Sequence, residues 1–229
     1  MSEENDFERS WLTKFSQCLD EIAGGEIRKK VVVGSEGLSD RSSPQEVVAW
    51  SKQAMERLET LVDAKRRRAV MAGCACQYSR SDLQAMRKAY ETTKDADLAH
   101  RMLQEQFEAF LKDSLKLKEE LIKEIVNKGW GVAGVKKGNT IIATKIPKGS
   151  TLVKYMEETN REKKRQYYCH CPRVREALKS SETISPVYCY CGAGYYKGIW
   201  EEILQKPVEV EALTSVLGGD EVCTIAIHI

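Results

Sequence analysis

The stretch GWGVAGVKKGNTIIATKIP, residues 129–147, decides the fold because the character of the chain changes there. Two apolar segments flank a Lys-Gly-Asn sequence, which predicts a β-hairpin with its turn at Lys137–Asn139. Apolar residues before this stretch recur at helical spacing, and those after it alternate in several places. We therefore predict an α+β fold, in which a helical N-terminal half (residues 1–128) packs on a C-terminal antiparallel sheet with helices (residues 129–229).

Upstream of the hairpin, the clearest helix start is the sequence SPQE. Ser43 is the predicted N-cap, Pro44 takes the first helical position, and Glu46 completes a capping box. Apolar residues at helical spacing extend this helix to about Arg68. Further helices are predicted from Ser79 or Ser81, from Asp95, and up to Gly129, and a short one over TKFSQCLDEIAG (residues 13–24).

Downstream of the hairpin, PVEVEALTSVL (207–217) and EVCTIAIHI (221–229) alternate like strands, and Tyr195–Gln205 has a helical apolar face. The second strand places Cys223, Ile225 and Ile227 on one apolar face. Residues 160–171 predict a charged loop that leads into a short strand, and ISPVYCYC (184–191) predicts another strand. Pro172 begins a short helix.

Composition describes an ordinary globular chain of 229 residues, with 42% hydrophobic residues, 31% charged residues and a formal net charge of +2. This balance predicts no nucleic-acid partner and no membrane partner. The acidic, polar N-terminus lacks the pattern of a signal peptide, so we expect a cytoplasmic protein with reduced thiols. A small-molecule ligand is the expected partner, and a homodimer is left open.

Six of the eight cysteines form three Cys-x-Cys pairs, and each pair is expected next to a helix start, where thiolates are favoured. The pairs are the predicted metal ligands: Cys74 with Cys76, Cys169 with Cys171, and Cys189 with Cys191. Four thiolates around one ion make a closed zinc site, and an iron–sulfur cluster is the alternative. Whether Cys74 and Cys76 join the other pairs is left open. Incidental core thiols are the simpler interpretation, and we prefer it for Cys18 and Cys223.

Aromatic residues crowd around the later pairs and predict a pocket for a planar ligand. The candidate ligand-binding residues are Tyr168, His170, Tyr190, Tyr195 and Trp200. His170 is also a candidate ligand of the metal or a general base. The competing hypothesis is an enzyme, in which a helix-terminal thiolate (Cys189 or Cys191) or a metal-activated water attacks a cyclic substrate.

The C-terminal segment CYCGAGYYKGIWEEILQKPVEVEALTSVLGGDEVCTIAIHI resembles the end of 4-vinyl-reductase-like small-molecule-binding domains and of the related L-2-amino-thiazoline-4-carboxylic acid hydrolase-like proteins. A bacterial branch of these, with CHCP and CYC-G segments, is the more similar one. The resemblance covers about residues 129–229 and implies an antiparallel sheet packed on helices around a ligand pocket. Its Gly219, Asp220 and Cys223 imply the fold and carry no chemistry, and no catalytic set transfers to this chain. The doubled Cys-x-Cys departs from a plain 4-vinyl-reductase-like domain and favours a metal.

Overall fold

A computed structural model describes residues 6–180 and 182–229 of the chain. Its helices are α1 (Phe7–Ala23), α2 (Gly25–Val31), α3 (Pro44–Leu61), α4 (Ala64–Gly73), α5 (Arg80–Thr93), α6 (Ala96–Ala109), α7 (Glu119–Asn127), α8 (Leu152–Glu157), α9 (Arg161–Tyr168), α10 (Pro172–Ala177) and α11 (Tyr190–Leu204). A π-helical turn (Phe110–Ser114) continues α6. Short 3-10 segments span Gly149–Thr151, Pro186–Cys189 and Val216–Gly218. The strands are β1 (Val135–Lys137), β2 (Thr140–Thr144), β3 (Glu209–Thr214) and β4 (Thr224–His228).

The four strands form one antiparallel sheet in the order β1-β2-β4-β3. The predicted hairpin is confirmed as β1–β2, and Gly138 at its turn has a φ of 58°, which glycine adopts without strain. In the centre of the sheet Ile141 lies opposite Ile227 and Ala143 lies opposite Ile225, and all four side chains are buried. Helices pack around this sheet, so the α+β class is confirmed.

The predicted capping box is present at the start of α3. The Ser43 hydroxyl accepts a hydrogen bond from the Glu46 amide, and the Glu46 carboxylate accepts one from the Ser43 amide. The predicted extension of this helix to Arg68 is wrong, because α3 ends at Leu61. Asp63 starts a new helix there by accepting a hydrogen bond from the Arg66 amide at 3.0 Å.

The strands predicted to carry the later Cys-x-Cys pairs are wrong. Residues 161–168 form helix α9, which Asn160 caps by accepting a hydrogen bond from the Lys163 amide. Pro186–Cys189 is a 3-10 turn, which Ser185 caps through the Val187 amide. In both segments the short apolar run is compatible with either a helix or a strand, and the side-chain cap favours the helical structure.

Two groups of buried side chains form the core. The first packs α1, α3 and α4 against residues 168–188, with Trp11, Phe15 and Tyr188 stacked in its centre. The second packs α5, α6 and α11 against the sheet and is centred on Trp200. Because each group mixes residues from both sides of position 128, the core runs across the predicted boundary between 1–128 and 129–229. That division stays a prediction.

Within the described ranges, no helix combines the length and the apolar character that crossing a membrane requires.

Candidate functional site

Three of the four cysteines in the two later pairs lie at helix N-termini, as the sequence predicts, whereas Cys169 directly follows the last residue of α9. Cys171 is the residue before α10, with Pro172 at the first helical position, and Cys189 is the residue before α11. Cys191 lies in the first turn of α11. The first pair does not fit the prediction, because Cys74 follows the end of α4 and Cys76 lies in the loop before α5.

Four of the cysteines lie near the side chain of Lys145. Its four largest charge interactions are with thiols, those of Cys169, Cys171, Cys191 and Cys223. Burial lowers the pKa of the Lys145 ammonium, but the four thiols together raise it above its usual value. The half-buried ammonium therefore lies in surroundings that favour negative charge on sulfur.

The position of Lys145 follows from the register of β2. Ile141 and Ala143 are buried on one face of that strand, and Lys145 is the next residue on the same face. Its amide donates a hydrogen bond to the Cys223 carbonyl at 2.9 Å, which continues the pairing of β2 with β4. Lys145 and Cys223 are thus neighbours across two strands.

Tyr168 fixes these two strand ends. Its hydroxyl accepts a hydrogen bond from the Cys223 amide at 2.8 Å and donates one to the Lys145 carbonyl. The ring is fully buried, so Tyr168 holds the backbone of the site. Cys223, which the sequence predicts on an apolar face, adjoins Cys189, and the Cys189 thiol lowers its pKa.

We name Cys169, Cys171, Cys189, Cys191 and Cys223 the thiol centre. Four of its sulfurs accept hydrogen bonds from backbone amides. The amides belong to Cys171 (to the sulfur of Cys169), Leu217 (to Cys189), Cys76 (to Cys191) and Val216 (to Cys223). Such donors stabilise thiolate relative to thiol, and hydrogen bonds to sulfur also tune metal–thiolate centres.

The thiols nevertheless differ in their pKa values. Burial raises the pKa values of Cys169 and Cys191 to about 12 each. The Cys189 thiol and the Val216 amide hold the pKa of Cys223 below its usual value, and the hydrogen bond to Cys223 raises that of Cys189. Among Cys169, Cys189, Cys191 and Cys223, only Cys223 has a pKa below the usual value of a thiol.

The fifth thiol of the centre, that of Cys171, contacts the hydroxyl of Tyr188. Cys171 Sγ lies 3.7 Å from the hydroxyl of Tyr188, which in turn accepts a hydrogen bond from Arg173 at 3.1 Å. Arg173 is buried, pairs with Glu8 of α1, and lies 4.0 Å above the Trp11 ring. The N-terminal helix is thus connected to the thiol centre through a continuous polar chain.

The segment 74–76 also reaches the thiol centre, but through its backbone. Cys191 Sγ lies 4.0 Å from the Cys74 carbonyl, and the Cys76 amide donates to the same sulfur. The Cys74 thiol instead faces Cys18 of α1, and the Cys76 side chain is exposed. Two participants in the thiol centre, Lys145 and Cys223, were therefore not predicted from the sequence.

A metal ion requires several of these side chains to point to one place. Within residues 6–180 and 182–229, no group of three or more His, Cys, Asp or Glu side chains is arranged to hold one. The chemistry of the centre fits a thiolate-bound metal, since soft sulfur ligands, amide donors and an ammonium lie together. Binding would require the sulfurs to turn towards one another.

The candidate ligand-binding residues are distributed over different surroundings. Tyr195 lines a cavity of about 730 Å³ together with Tyr78 and Cys76, and Tyr190 lines another of about 440 Å³. Trp200 is fully buried and stacks on His100 at 6.2 Å. His170 is exposed, and its Nε2 lies 2.9 Å from the Ile146 carbonyl.

Comparison with known proteins assigns the chain to a family. A family model described as a family of unknown function (DUF6144) matches residues 110–229, and the chain belongs to this family. The match contains the whole thiol centre and Lys145. No curated protein and no solved structure matches the chain. The resemblance to 4-vinyl-reductase-like and thiazoline hydrolase-like proteins therefore stays a prediction.

Proposed function

We propose that this protein binds a thiolate-coordinated metal ion, zinc, at the thiol centre, and that it senses a small molecule in the adjoining cavity. The ligands are drawn from Cys169, Cys171, Cys189 and Cys191, which are four of the six ligands that the sequence predicts, together with Cys223; Cys74 and Cys76 are left out. Zinc with four thiolates forms a closed structural site, in which the metal organises the protein around it.

One observation carries the proposal: thiols of the centre lie around Lys145, whose amide donates to the Cys223 carbonyl at 2.9 Å, and backbone amides lie beside their sulfurs. A zinc ion with four thiolates has a net charge of −2, and such a charge inside a protein needs compensation. Lys145 supplies a positive charge beside four of the thiols. The amide donors supply the remaining stabilisation of sulfur charge.

The sensor part of the proposal rests on the cavity lined by Tyr78, Tyr195 and Cys76. The volume of about 730 Å³ lies within the range of small-molecule sites, and the two rings, 6.0 Å apart, offer an aromatic wall. Because the Cys76 amide donates to the sulfur of Cys191, a ligand that displaces this wall would alter the thiol centre.

The test is the metal content of protein purified without oxygen, measured with the ultraviolet–visible spectrum. We expect about one zinc per chain and no colour. The Cys189→Ser and Cys223→Ser variants should lose most of the zinc, whereas Cys18→Ser, whose thiol faces α4, should keep it. A metal-free wild-type protein with five reactive thiols at the centre would refute the proposal. Full zinc content in both variants would refute the ligand set.

Iron is the alternative metal for the same ligands. Five thiols in one region, with amide donors to sulfur, also suit an iron–sulfur cluster. Brown protein that contains iron and acid-labile sulfide in equal amounts would replace zinc by a cluster and keep the thiol centre as its site.

A second candidate function is a hydrolase with a cysteine nucleophile. The observation in its favour is the placement of Cys223, which lies half-buried beside the Lys145 ammonium and the Val216 amide. Such surroundings suit a thiolate that attacks an activated or cyclic substrate. The sequence favours Cys189 or Cys191 for this role, but the contact with Cys223 and burial raise the pKa of Cys189, and burial raises that of Cys191. Rapid single-site alkylation of Cys223 in metal-free, folded protein would favour this candidate.

A further inference from the structure

Two cysteines outside the thiol centre face each other between α1 and α4. Cys18 lies in the last part of α1, and Cys74 directly follows α4. Their thiols are neighbours, and each shifts the pKa of the other. A Cβ atom placed on Gly73 would lie only 2.6 Å from Cys18 Sγ, so this sulfur packs directly on the backbone beside Cys74.

We propose that Cys18 and Cys74 form an oxidation-dependent disulfide that links α1 to α4 when the protein encounters a peroxide. The two residues are 56 positions apart in the sequence (74 minus 18). The proposal concerns a modification site separate from the thiol centre, and it does not depend on whether that centre binds a metal.

The reaction balances in two steps. The Cys18 thiolate attacks one oxygen of hydrogen peroxide, the O–O bond breaks, and Cys18 sulfenic acid and hydroxide form. The Cys74 sulfur then attacks the Cys18 sulfur, the S–O bond breaks, and water leaves with the proton of the Cys74 thiol. Together the two thiols lose two electrons and the peroxide gains them, with two waters as products.

The surroundings assign different roles to the two sulfurs. Cys18 is half-buried and accessible to a small oxidant, whereas Cys74 is only 1% exposed. The contact with Cys74 holds the pKa of Cys18 below its usual value, and of the two nearby charges Glu21 raises this pKa whereas Lys14 lowers it. The Cys74 thiol lies 3.1 Å from the Val70 carbonyl and is held next to Cys18. Cys18 is thus the sulfur that is oxidised first, and Cys74 the sulfur that resolves it.

Peptide mapping tests the proposal. Reduced protein is treated with an equimolar amount of hydrogen peroxide, the remaining thiols are blocked with N-ethylmaleimide, and trypsin is added without reductant. Trypsin releases Cys18 in peptide 15–28 and Cys74, together with Cys76, in peptide 69–80. Because these two cysteines share a peptide, Cys74→Ser and Cys76→Ser form a matched pair of variants, and circular dichroism checks that both fold.

We expect the linked peptides 15–28 and 69–80 in the wild type and, at the same level, in Cys76→Ser. The link should be lost in Cys74→Ser and in Cys18→Ser. A link that persists in Cys74→Ser would assign the bond to the exposed Cys76 and overturn the proposal. Recovery of Cys18 only as blocked thiol or as sulfinic acid, in folded wild-type protein, would overturn it as well.

Discussion

Lys145 is the residue on which the account of the thiol centre depends most. Sequence reasoning reaches the strand before it but not its role, because a lysine at a strand end is usually solvated. Ile141 and Ala143 alternate on the buried face of β2, and the same alternation extended by two residues predicts Lys145 on that face. The alternation does not predict which residues surround Lys145, because these cysteines belong to three other segments of the chain.

Replacing Lys145 by Met should weaken metal binding by roughly 10- to 100-fold, the usual effect of removing a partner that supports metal ligands. The reason is that the thiolates would lose the ammonium that offsets their charge. Competition with a chromophoric zinc chelator measures the change in affinity. Lys137→Met, on the exposed part of β1, is the control and should bind as the wild type does. Equal affinities for both variants would show that Lys145 does not stabilise the sulfurs.

Gly194 is a position where close packing leaves no room for a side chain. A Cβ atom at Gly194 in α11 would lie 1.9 Å from the Ala72 carbonyl, so α4 and α11 pack with their backbones in contact. Gly194→Ala should therefore lower the free energy of unfolding by about 1–3 kcal/mol, as overpacking does. Urea denaturation of the wild type and of Gly194→Ala measures this change in the free energy of unfolding.

Gly198→Ala is the matched control in the same helix, because a Cβ atom there meets nothing within 4 Å. That substitution should leave stability unchanged or raise it by about 0.5–1 kcal/mol, since alanine favours helices. If both alanines had the same effect, close packing of α4 on α11 would be excluded.

At the scale of elements, local signals predicted well where a cap and an apolar pattern agree. The start of α3 and the β1–β2 hairpin are examples, since a capping box and a glycine turn each have one local meaning. The segments before Cys169 and Cys189 were predicted wrongly. Both contain tyrosines and cysteines, which suit strands, and the caps at Asn160 and Ser185 outweigh that preference.

The connection of α1 to α10 is an element-scale feature that sequence could not reveal, because Glu8 and Arg173 are 165 residues apart. Arg173→Met should destabilise the protein by about 3–5 kcal/mol, since it leaves the buried Glu8 carboxylate without its partner. The double variant Glu8→Gln/Arg173→Met should recover part of this loss. Thermal and urea unfolding of the wild type, Glu8→Gln, Arg173→Met and the double variant form a double-mutant cycle.

Arg161→Met is the control for that cycle. Arg161 is exposed and lies 3.9 Å from Glu221, so its removal should cost at most about 1 kcal/mol. A loss of similar size for Arg161→Met and Arg173→Met would contradict the role assigned to the buried pair.

At the scale of the whole molecule, the second core predicts a dependence of stability on pH. His100 stacks on Trp200, and its Nε2 lies 3.1 Å from the Ala133 carbonyl. Burial lowers the pKa of His100 below its usual 6.5. The folded state therefore favours the neutral ring, and its contribution to stability is complete above pH 6.5 and is lost as the pH falls towards the lowered pKa.

The free energy of unfolding of the wild type should thus fall more steeply between pH 7.5 and pH 5.5 than that of His100→Gln. The difference in slope is at most about 1.4 kcal/mol per pH unit, the limit for one proton. Urea titrations at several pH values supply both slopes. Parallel curves for the two proteins would show that His100 titrates as it does in the unfolded chain.

The fold class followed from periodicity, but the site followed only in part. Four of the five members of the thiol centre could be named from their spacing, because paired cysteines beside helix starts are uncommon by chance. Cys223 was set aside because its alternation with Ile225 and Ile227 explained it as core, and it does pack, partly buried, against the core group that contains both isoleucines. Its contact with Cys189 depends on how β4 packs beside α11, which no local pattern contains.

The most direct test of the central claim is X-ray absorption at the zinc edge on protein purified without oxygen. The account predicts a first shell of four sulfur atoms at about 2.3 Å. It also predicts that Cys223→Ser or Cys189→Ser changes this shell and Cys18→Ser does not. A shell of nitrogen and oxygen atoms, or protein without any bound metal, would contradict the thiolate centre.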